Sequence, residues 1–291
     1  MPWLQLETTL GLQDPGQFEE ALEALGAVAV WLRDAGDEPL LEPAPGETPL
    51  WSNTLVAALF PADTDQETLS TQLAGLLADS ALSFSRVEDR NWHAEWQAGL
   101  QPARYGNRLW VVPAGCDAPA DSAVVHFAPG MAFGTGEHPT TRMCLEWLDG
   151  QALEGTRVLD YGCGSGLLAI AALQLGAAGA CATDIDPQAL DATRDNAINN
   201  ACLDRLEVLY PEEIKVAEQY DVLAANILSG TLIRLGPVIC ELLQPGARLA
   251  LSGVLADQAS QVCAAWSGWA DLRVSTRIDD WVLLTGLKHG S

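Results

Sequence analysis

The chain has 291 residues, 48% of them hydrophobic, and a formal net charge of −24. So much apolar content excludes a disordered chain and suffices for two domains, while no apolar run reaches the length needed to span a bilayer. The negative charge sets nucleic acid aside as a direct partner, because phosphates would be repelled, and favours a cationic one through long-range steering.

Met1–Glu7 has neither a basic start nor a cleavable apolar core, so no signal peptide is expected. Seven cysteines are scattered without a Cys-x-x-Cys pair. An odd, unpaired set argues against a disulfide framework and a zinc site, and for reduced thiols in a cytoplasmic protein. The acidity is uneven. Residues 1–91 hold 16 acids and 3 arginines, a net of 3 − 16 = −13, and no lysine.

In chain order, Trp3–Leu6 alternates as a strand. Asp14 is expected to cap a helix with Pro15 at its first position, ending at Gly26. Ala27–Leu32 reads as a second strand, and the Pro/Gly/Glu-rich run from Asp34 to Pro49 as a loop. Leu50–Phe60 contains a third strand. Thr64 and Glu67 suggest a capping box for a second helix, and Leu82–Val87 is a fourth strand. The order βαββαβ predicts a small α+β ferredoxin-like domain over residues 1–91. It holds no glycine loop, metal cluster or nucleophile, which suits a docking module. Residues 92–120 read as a linker helix and connector, with Trp92 and Trp96 on one helical face. Leu109–Pro113 and Ala123–Phe127 are expected strands.

The third stretch, residues 121–291, begins with a small, polar loop, Pro129–His138, before a helix over 140–148. A loop of this kind beside a βαβ core commonly covers a ligand. His138 alone reads as an anchor rather than a catalyst. The central signal follows. Arg157–Asp160 is a short apolar strand; Gly162, Gly164 and Gly166 alternate; an unbroken helical stretch runs to Gly176. This is the first half of a βαβ unit. Ala180–Ile185 is the next strand, and Asp186 precedes Pro187 as an N-cap for a helix over 187–199. Asp184 is left at the strand's carboxyl edge, 22 residues beyond Gly162, where a carboxylate accepts ribose hydroxyls. Leu206–Leu209 and Asp221–Ala225 are further strands. A helix then runs to Leu243, stopped by Pro245-Gly246 before a strand at Arg248–Ser252. A last helix and a hairpin, Leu272–Ile278 with Trp281–Leu287, complete an α/β doubly wound sheet with an antiparallel edge.

Two cofactor readings compete at the glycines. Gly164-x-Gly166-x-x-Ala169 satisfies a loosened dinucleotide fingerprint with Asp184 or Asp186 as its ribose acid. Against it stand Asp160 at the strand end and the additional Gly162. Asp-x-Gly-x-Gly-x-Gly is the arrangement of class I S-adenosylmethionine methyltransferases, in which the strand-end acid helps to hold an ammonium group.

Four segments carry a closer resemblance: Phe133-Gly-Thr-Gly-x-His-Pro-Thr-Thr141, Asp160-x-Gly-Cys-Gly-Ser-Gly166, Asp184-Ile-Asp-Pro187 and Ala225-Asn-Ile-Leu228. Together they resemble the bacterial ribosomal protein L-eleven methyltransferases, most closely over residues 90–291. The resemblance implies a class I methyltransferase domain with S-adenosyl-L-methionine as cofactor. The expected contacts are Thr141, Asp160, Gly162, Gly164, Gly166, Asp184 and Asn226. It also implies that residues 1–91 dock a basic substrate, ribosomal protein L-eleven, whose amines are methylated. Asn226 is the candidate catalytic residue, aligning the amine by accepting an N–H. No strong general base is expected, and a monomer is. The alternative is a class I enzyme acting on another protein or a small-molecule amine; a nicotinamide dehydrogenase is more distant.

Overall fold

The computed structural model describes residues 2–11, 14–36, 50–77, 81–88, 101–113, 116, 118–119, 122–127, 138–216 and 219–290. The expected Trp92/Trp96 helix and the Pro129–Glu137 loop lie outside them. The chain divides into two compact units, Met1–Glu95 and Trp96–Ser291.

In the first unit, β1 (Trp3–Gly11), α1 (Gly16–Ala24), β2 (Ala29–Asp34), β3 (Thr54–Pro61), α2 (Gln66–Leu73) and β4 (Ser83–Val87) follow the expected order. The strands form one antiparallel sheet, β2-β3-β1-β4. Alternation puts Leu4, Leu6 and Leu10 of β1 with Val56, Ala58 and Phe60 of β3 against Phe18 and Leu22 of α1 and Leu69 and Leu73 of α2. Both helix starts differ in detail from the sequence expectation. Pro15 flanks α1 rather than opening it, although Asp14 Oδ1 does accept the Gly16 N–H at 3.0 Å. Asp65, not Thr64, caps α2, accepting the Thr68 N–H at 3.0 Å. From Asp65 the carboxylate reaches the third helical N–H, and its charge suits the positive end of the helix.

The second unit is built on a seven-stranded sheet. Its strands are β8 (Arg157–Tyr161), β9 (Gly179–Thr183), β10 (Leu206–Leu209), β11 (Tyr220–Asn226), β12 (Leu243–Leu255), β13 (Arg273–Ile278) and β14 (Trp281–Leu287), in the order β10-β9-β8-β11-β12-β14-β13. The first five are parallel and β14 runs antiparallel to both neighbours. Helices α4 (Leu167–Gln174), α5 (Pro187–Asn199), α6 (Ser229–Glu241) and α7 (Ala259–Trp266) connect them, and α3 (Pro139–Asp149) precedes β8. Strands covered on both faces read as continuous apolar runs. Val158, Val222 and Ala224 face one core with α3 and α4, while Leu159, Leu223 and Leu251 face the other with α6 and α7. Chain order reverses between β8 and β11, so their carboxyl ends open a crevice at the sheet's switch point. Among the described residues no helix is long and apolar enough to cross a membrane.

Two local findings depart from the sequence reading. Pro245-Gly246 does not separate a helix from a later strand: β12 already begins at Leu243, and the irregularity falls between its pairings Tyr220↔Leu243 and Val222↔Arg248. A strand can hold a proline where no ladder donor is required, and a register break supplies such a place. Within the expected connector, Ala103–Tyr105 forms a further strand, β5, antiparallel to β6 (Leu109–Pro113), which is parallel to β7 (Ala123–Phe127).

This small sheet is tied to α3 by the buried Asp149. Its carboxylate accepts the N–H groups of Asn107 at 2.6 Å, Arg108 at 3.0 Å and Leu109 at 3.1 Å. Removing the acceptor strands these donors at about 1–3 kcal/mol for each one that stays dry. Asp149→Ala should therefore lower unfolding free energy by roughly 3 kcal/mol. Chemical denaturation with unchanged slope checks this, and a loss below about 1 kcal/mol would remove the clamp.

Candidate active site

The carboxyl ends of β8, β9 and β11 bring together the residues that the sequence singled out. Asp160 lies in β8 and is 1% exposed. Its Oδ2 accepts the Ala169 N–H in the first turn of α4 at 3.0 Å. Its Oδ1 is buried with no partner among the described residues. Burial pushes this carboxyl up, the Ala169 N–H opposes the shift and the charge of Asp184 adds to it, and the balance stands at about 7.

The glycine turn follows. The Gly162 and Cys163 N–H groups both donate to the Thr183 carbonyl, at 2.8 and 3.0 Å. The Gly164 N–H donates to Asp184 Oδ2 at 3.0 Å, and the Gly166 N–H to the Cys163 carbonyl at 2.8 Å. Asp184 Oδ1 accepts the Asp186 N–H at 3.1 Å, and Asp186 caps α5 through Gln188, as expected. A phosphate cradle needs backbone N–H groups aimed at its ligand. Here those four are occupied within the protein, and two carboxylates flank the turn. Such an arrangement suits a cationic ligand group better than a pyrophosphate.

The glycines also answer to something the sequence did not show. A Cβ on Gly162, where φ is +80°, would lie 2.1 Å from Ile227 Cγ2. A Cβ on Gly253 would lie 2.5 Å from the Ile227 carbonyl oxygen. Ile227 thus sits between the turn and β12, immediately after Asn226. The Asn226 Nδ2 donates to Oγ1 of Thr141, a residue of α3 that is 2% exposed, at 3.2 Å. Thr141 and Asn226 therefore form one pair, and Asp160, Asp184 and the glycines a second group, at the same end of the sheet.

His138 caps α3, its Nδ1 accepting from Thr140, with its ring edge-on to Trp281 at 5.2 Å. Burial lowers its pKa. Its role is the anchor that the sequence suggested.

Three residues escaped the sequence reading. Thr193 Oγ1 donates to the Gly164 carbonyl at 3.1 Å and Asn196 Nδ2 to the Ser165 carbonyl at 2.9 Å, so α5 holds the far side of the turn. Their spacing of three along one helical face was the available signal. Ile185, beside Asp184, is 84% exposed, an apolar surface next to the ribose-type acid.

A carboxyl whose folded pKa lies above its unfolded value costs stability as pH climbs from the unfolded value through the folded one. For Asp160 that window runs from the ordinary carboxylate range to about 7. The melting temperature of ligand-free Asp160→Asn, measured against wild type, should thus move in the variant's favour between about pH 5 and 8. A pH-independent difference would show that Asp160 ionises without penalty.

Comparison with known proteins places these features. The family of ribosomal protein L11 methyltransferases matches residues 2–289. The chain is 50% identical over 295 residues to the ribosomal protein L11 methyltransferase of Ectopseudomonas mendocina, covering 99% of this chain and 100% of that one. It is 50% identical over 294 residues to the enzyme of that name from Pseudomonas aeruginosa, covering 99% of each. The crystal structure of ribosomal protein L11 methylase from Lactobacillus delbrueckii aligns with a TM-score of 0.56 at 26% identity, over 66% of this chain and all of that one. With a methyltransferase sheet order, an acid-flanked glycine turn and these relatives, the chain belongs to the ribosomal protein L11 methyltransferase family.

Proposed function

We propose that this enzyme methylates amines of ribosomal protein L11 with S-adenosylmethionine as methyl donor. The observation that carries the cofactor assignment is the acid-flanked turn. Asp160 presents a buried oxygen without a partner among the described residues, which fits an ammonium group. Asp184 and the exposed Ile185 fit a ribose and an aromatic base. Gly162, Gly164 and Gly166 bring the backbone between them, and Thr141 and Asn226 close the end nearest the chemistry. When bound, the cofactor supplies a methyl group already activated on a sulfonium.

The protein's task is then to hold a neutral amine in line with that methyl. A lysine amine has an ordinary pKa of about 10.4 and must lose its proton first, which a desolvated site favours. Positioning carries the acceleration, so no general base is assigned. Asn226, at the carboxyl end of β11, accepts an amine N–H through its carbonyl oxygen.

The first unit serves docking. Residues 1–91 carry −13, and ribosomal proteins are generally basic, so the acidic surface steers the substrate. The same charge keeps nucleic acid from direct contact. The enzyme works as a monomer in the cytoplasm.

Calorimetry should find S-adenosylmethionine binding and no comparable NAD binding; the reverse result would overturn the cofactor assignment. Asn226→Ala should cut turnover on L11 at least tenfold while cofactor affinity holds. Deleting residues 1–91 should leave cofactor affinity nearly intact and abolish L11 methylation, whereas retained methylation would sink the docking role. Stopped-flow association with L11 should slow as salt rises from about 0.05 to 0.5 M, and a flat profile would remove steering.

A further inference from the structure

Resting on the reading that the cofactor's ammonium group meets Asp160, we propose that cofactor binding expels a proton from this carboxyl. Asp160 is a neutral acid in the ligand-free enzyme and becomes the counter-ion of the ammonium in the complex. The site takes up its ligand and gives up a proton in one event.

The surroundings of Asp160 set this up. It is 1% exposed and lies on the central strand β8, with β9 on one side and β11 on the other. A carboxylate so placed keeps its charge only where donors or a cation replace the water it has lost. Asp160 has one such donor: its Oδ2 accepts the Ala169 N–H at 3.0 Å, at the positive end of α4. Its Oδ1 is buried with no partner among the described residues. The charged group that bears on it has the wrong sign, since Asp184 just beyond β9 is another carboxylate. The thiols of Cys144 on α3 and Cys163 in the glycine turn lie close enough to feel its charge, and a negative Asp160 pushes both up. Asn226 and Ser252, paired at the ends of β11 and β12, are uncharged. His138, at the start of α3, packs edge-on to Trp281. With an anion beside it and one N–H to offset burial, the carboxyl is pushed up to about 7.

An ammonium group at Oδ1 supplies what the fold withholds, a positive charge and N–H donors together. Such a partner lowers a carboxyl pKa by about 1–3 units, so the proton passes to the solvent and the ion pair remains. The ligand must bring its cation already formed. An analogue without the amine meets a neutral acid and has nothing to draw the proton out. The methyl donor and its spent thioether share the ammonium, so both drive the same release, and the sulfonium is not the group that Asp160 reads.

The test is calorimetric titration of the full-length enzyme with S-adenosylmethionine and with S-adenosylhomocysteine, in pairs of buffers that differ in ionisation enthalpy. The range is about pH 5.5 to 7, where the ligand's own α-amino group, with an ordinary pKa of about 7.7–8.0, stays protonated. Release should exceed about half a proton per ligand near pH 6, and Kd should tighten about tenfold from pH 5.5 to 7. Asp160→Asn should release no proton, and its affinity deficit, about tenfold near pH 7, should vanish near pH 5.5. The deaminated analogue of S-adenosylhomocysteine, which keeps the carboxylate, should lose most of its affinity for the wild type and release none. Infrared difference spectra of the wild type should lose a protonated-carboxyl band when the cofactor binds. Tight binding without proton release would overturn the proposal. So would release that persists in Asp160→Asn, or equal release on binding the deaminated analogue, a comparison that decides the matter even where the variant does not fold. Failure of both cofactor forms to bind at any of these pH values would instead remove the cofactor reading itself.

Discussion

The wedge of Ile227 between Gly162 and Gly253 is the constraint on which the site depends. A side chain at position 162 would overlap Ile227 Cγ2, and one at 253 would overlap its backbone. The glycine turn after β8 and the irregularity in β12 between Leu251 and Val254 are therefore two accommodations of one residue. Ile227 packs between these two positions, and Asn226 precedes it as the last residue of β11. Its hydrogen bond to Thr141 then ties the parallel sheet to α3, a helix that the sheet's own connections do not include. Close packing of this kind transmits position without needing many polar contacts.

Electrostatics decides what the crevice receives. Asp160 is buried at the strand end and raised towards neutrality, while Asp184 at the next strand end holds the turn through the Gly164 and Asp186 N–H groups. A cationic ligand group near Asp160 would relieve the cost of ionising it, whereas an anion would add to that cost. The same glycine spacing in a dinucleotide site leaves its N–H groups free for phosphate. Here the Thr183 carbonyl and Asp184 occupy them, so the two uses of one motif part at the level of hydrogen-bond partners rather than of sequence.

Much of this was legible in the sequence because it rests on local rules. Asp186-Pro187 marked the start of α5, Leu206–Leu209 read directly as a strand, and alternating glycines after Asp160 placed the turn. The βαββαβ order of the first unit followed from the same punctuation. What escaped was set at long range. Nothing near Gly162 shows that its partner is Ile227, 65 positions later. Pro245-Gly246 looked like a stop because a proline and a glycine usually interrupt, yet pairing with β11 extends β12 through them. Ala103–Tyr105 is too short to signal a strand by alternation and exists through its pairing with β6, which Asp149 secures 40 residues on from Leu109. Thr64 yielded to Asp65 as a cap because two acceptable caps in succession leave the choice to helix geometry.

On the proposed reading, the division between an acidic first unit and a second unit that carries the candidate site suits a reaction that repeats on one nitrogen. A lysine side chain keeps its positive charge in water whether it carries no methyl or several, so steering by an acidic surface is blind to how far the reaction has gone. A docked substrate is therefore held no less firmly after one transfer than before it. What changes with each round is the number of N–H groups, from two to one to none on the neutral nitrogen, and only a contact at the reacting atom registers that number. On the proposed reading, charge on the first unit recognises the substrate protein, while the crevice at the sheet's switch point holds its amine in line with the methyl donor.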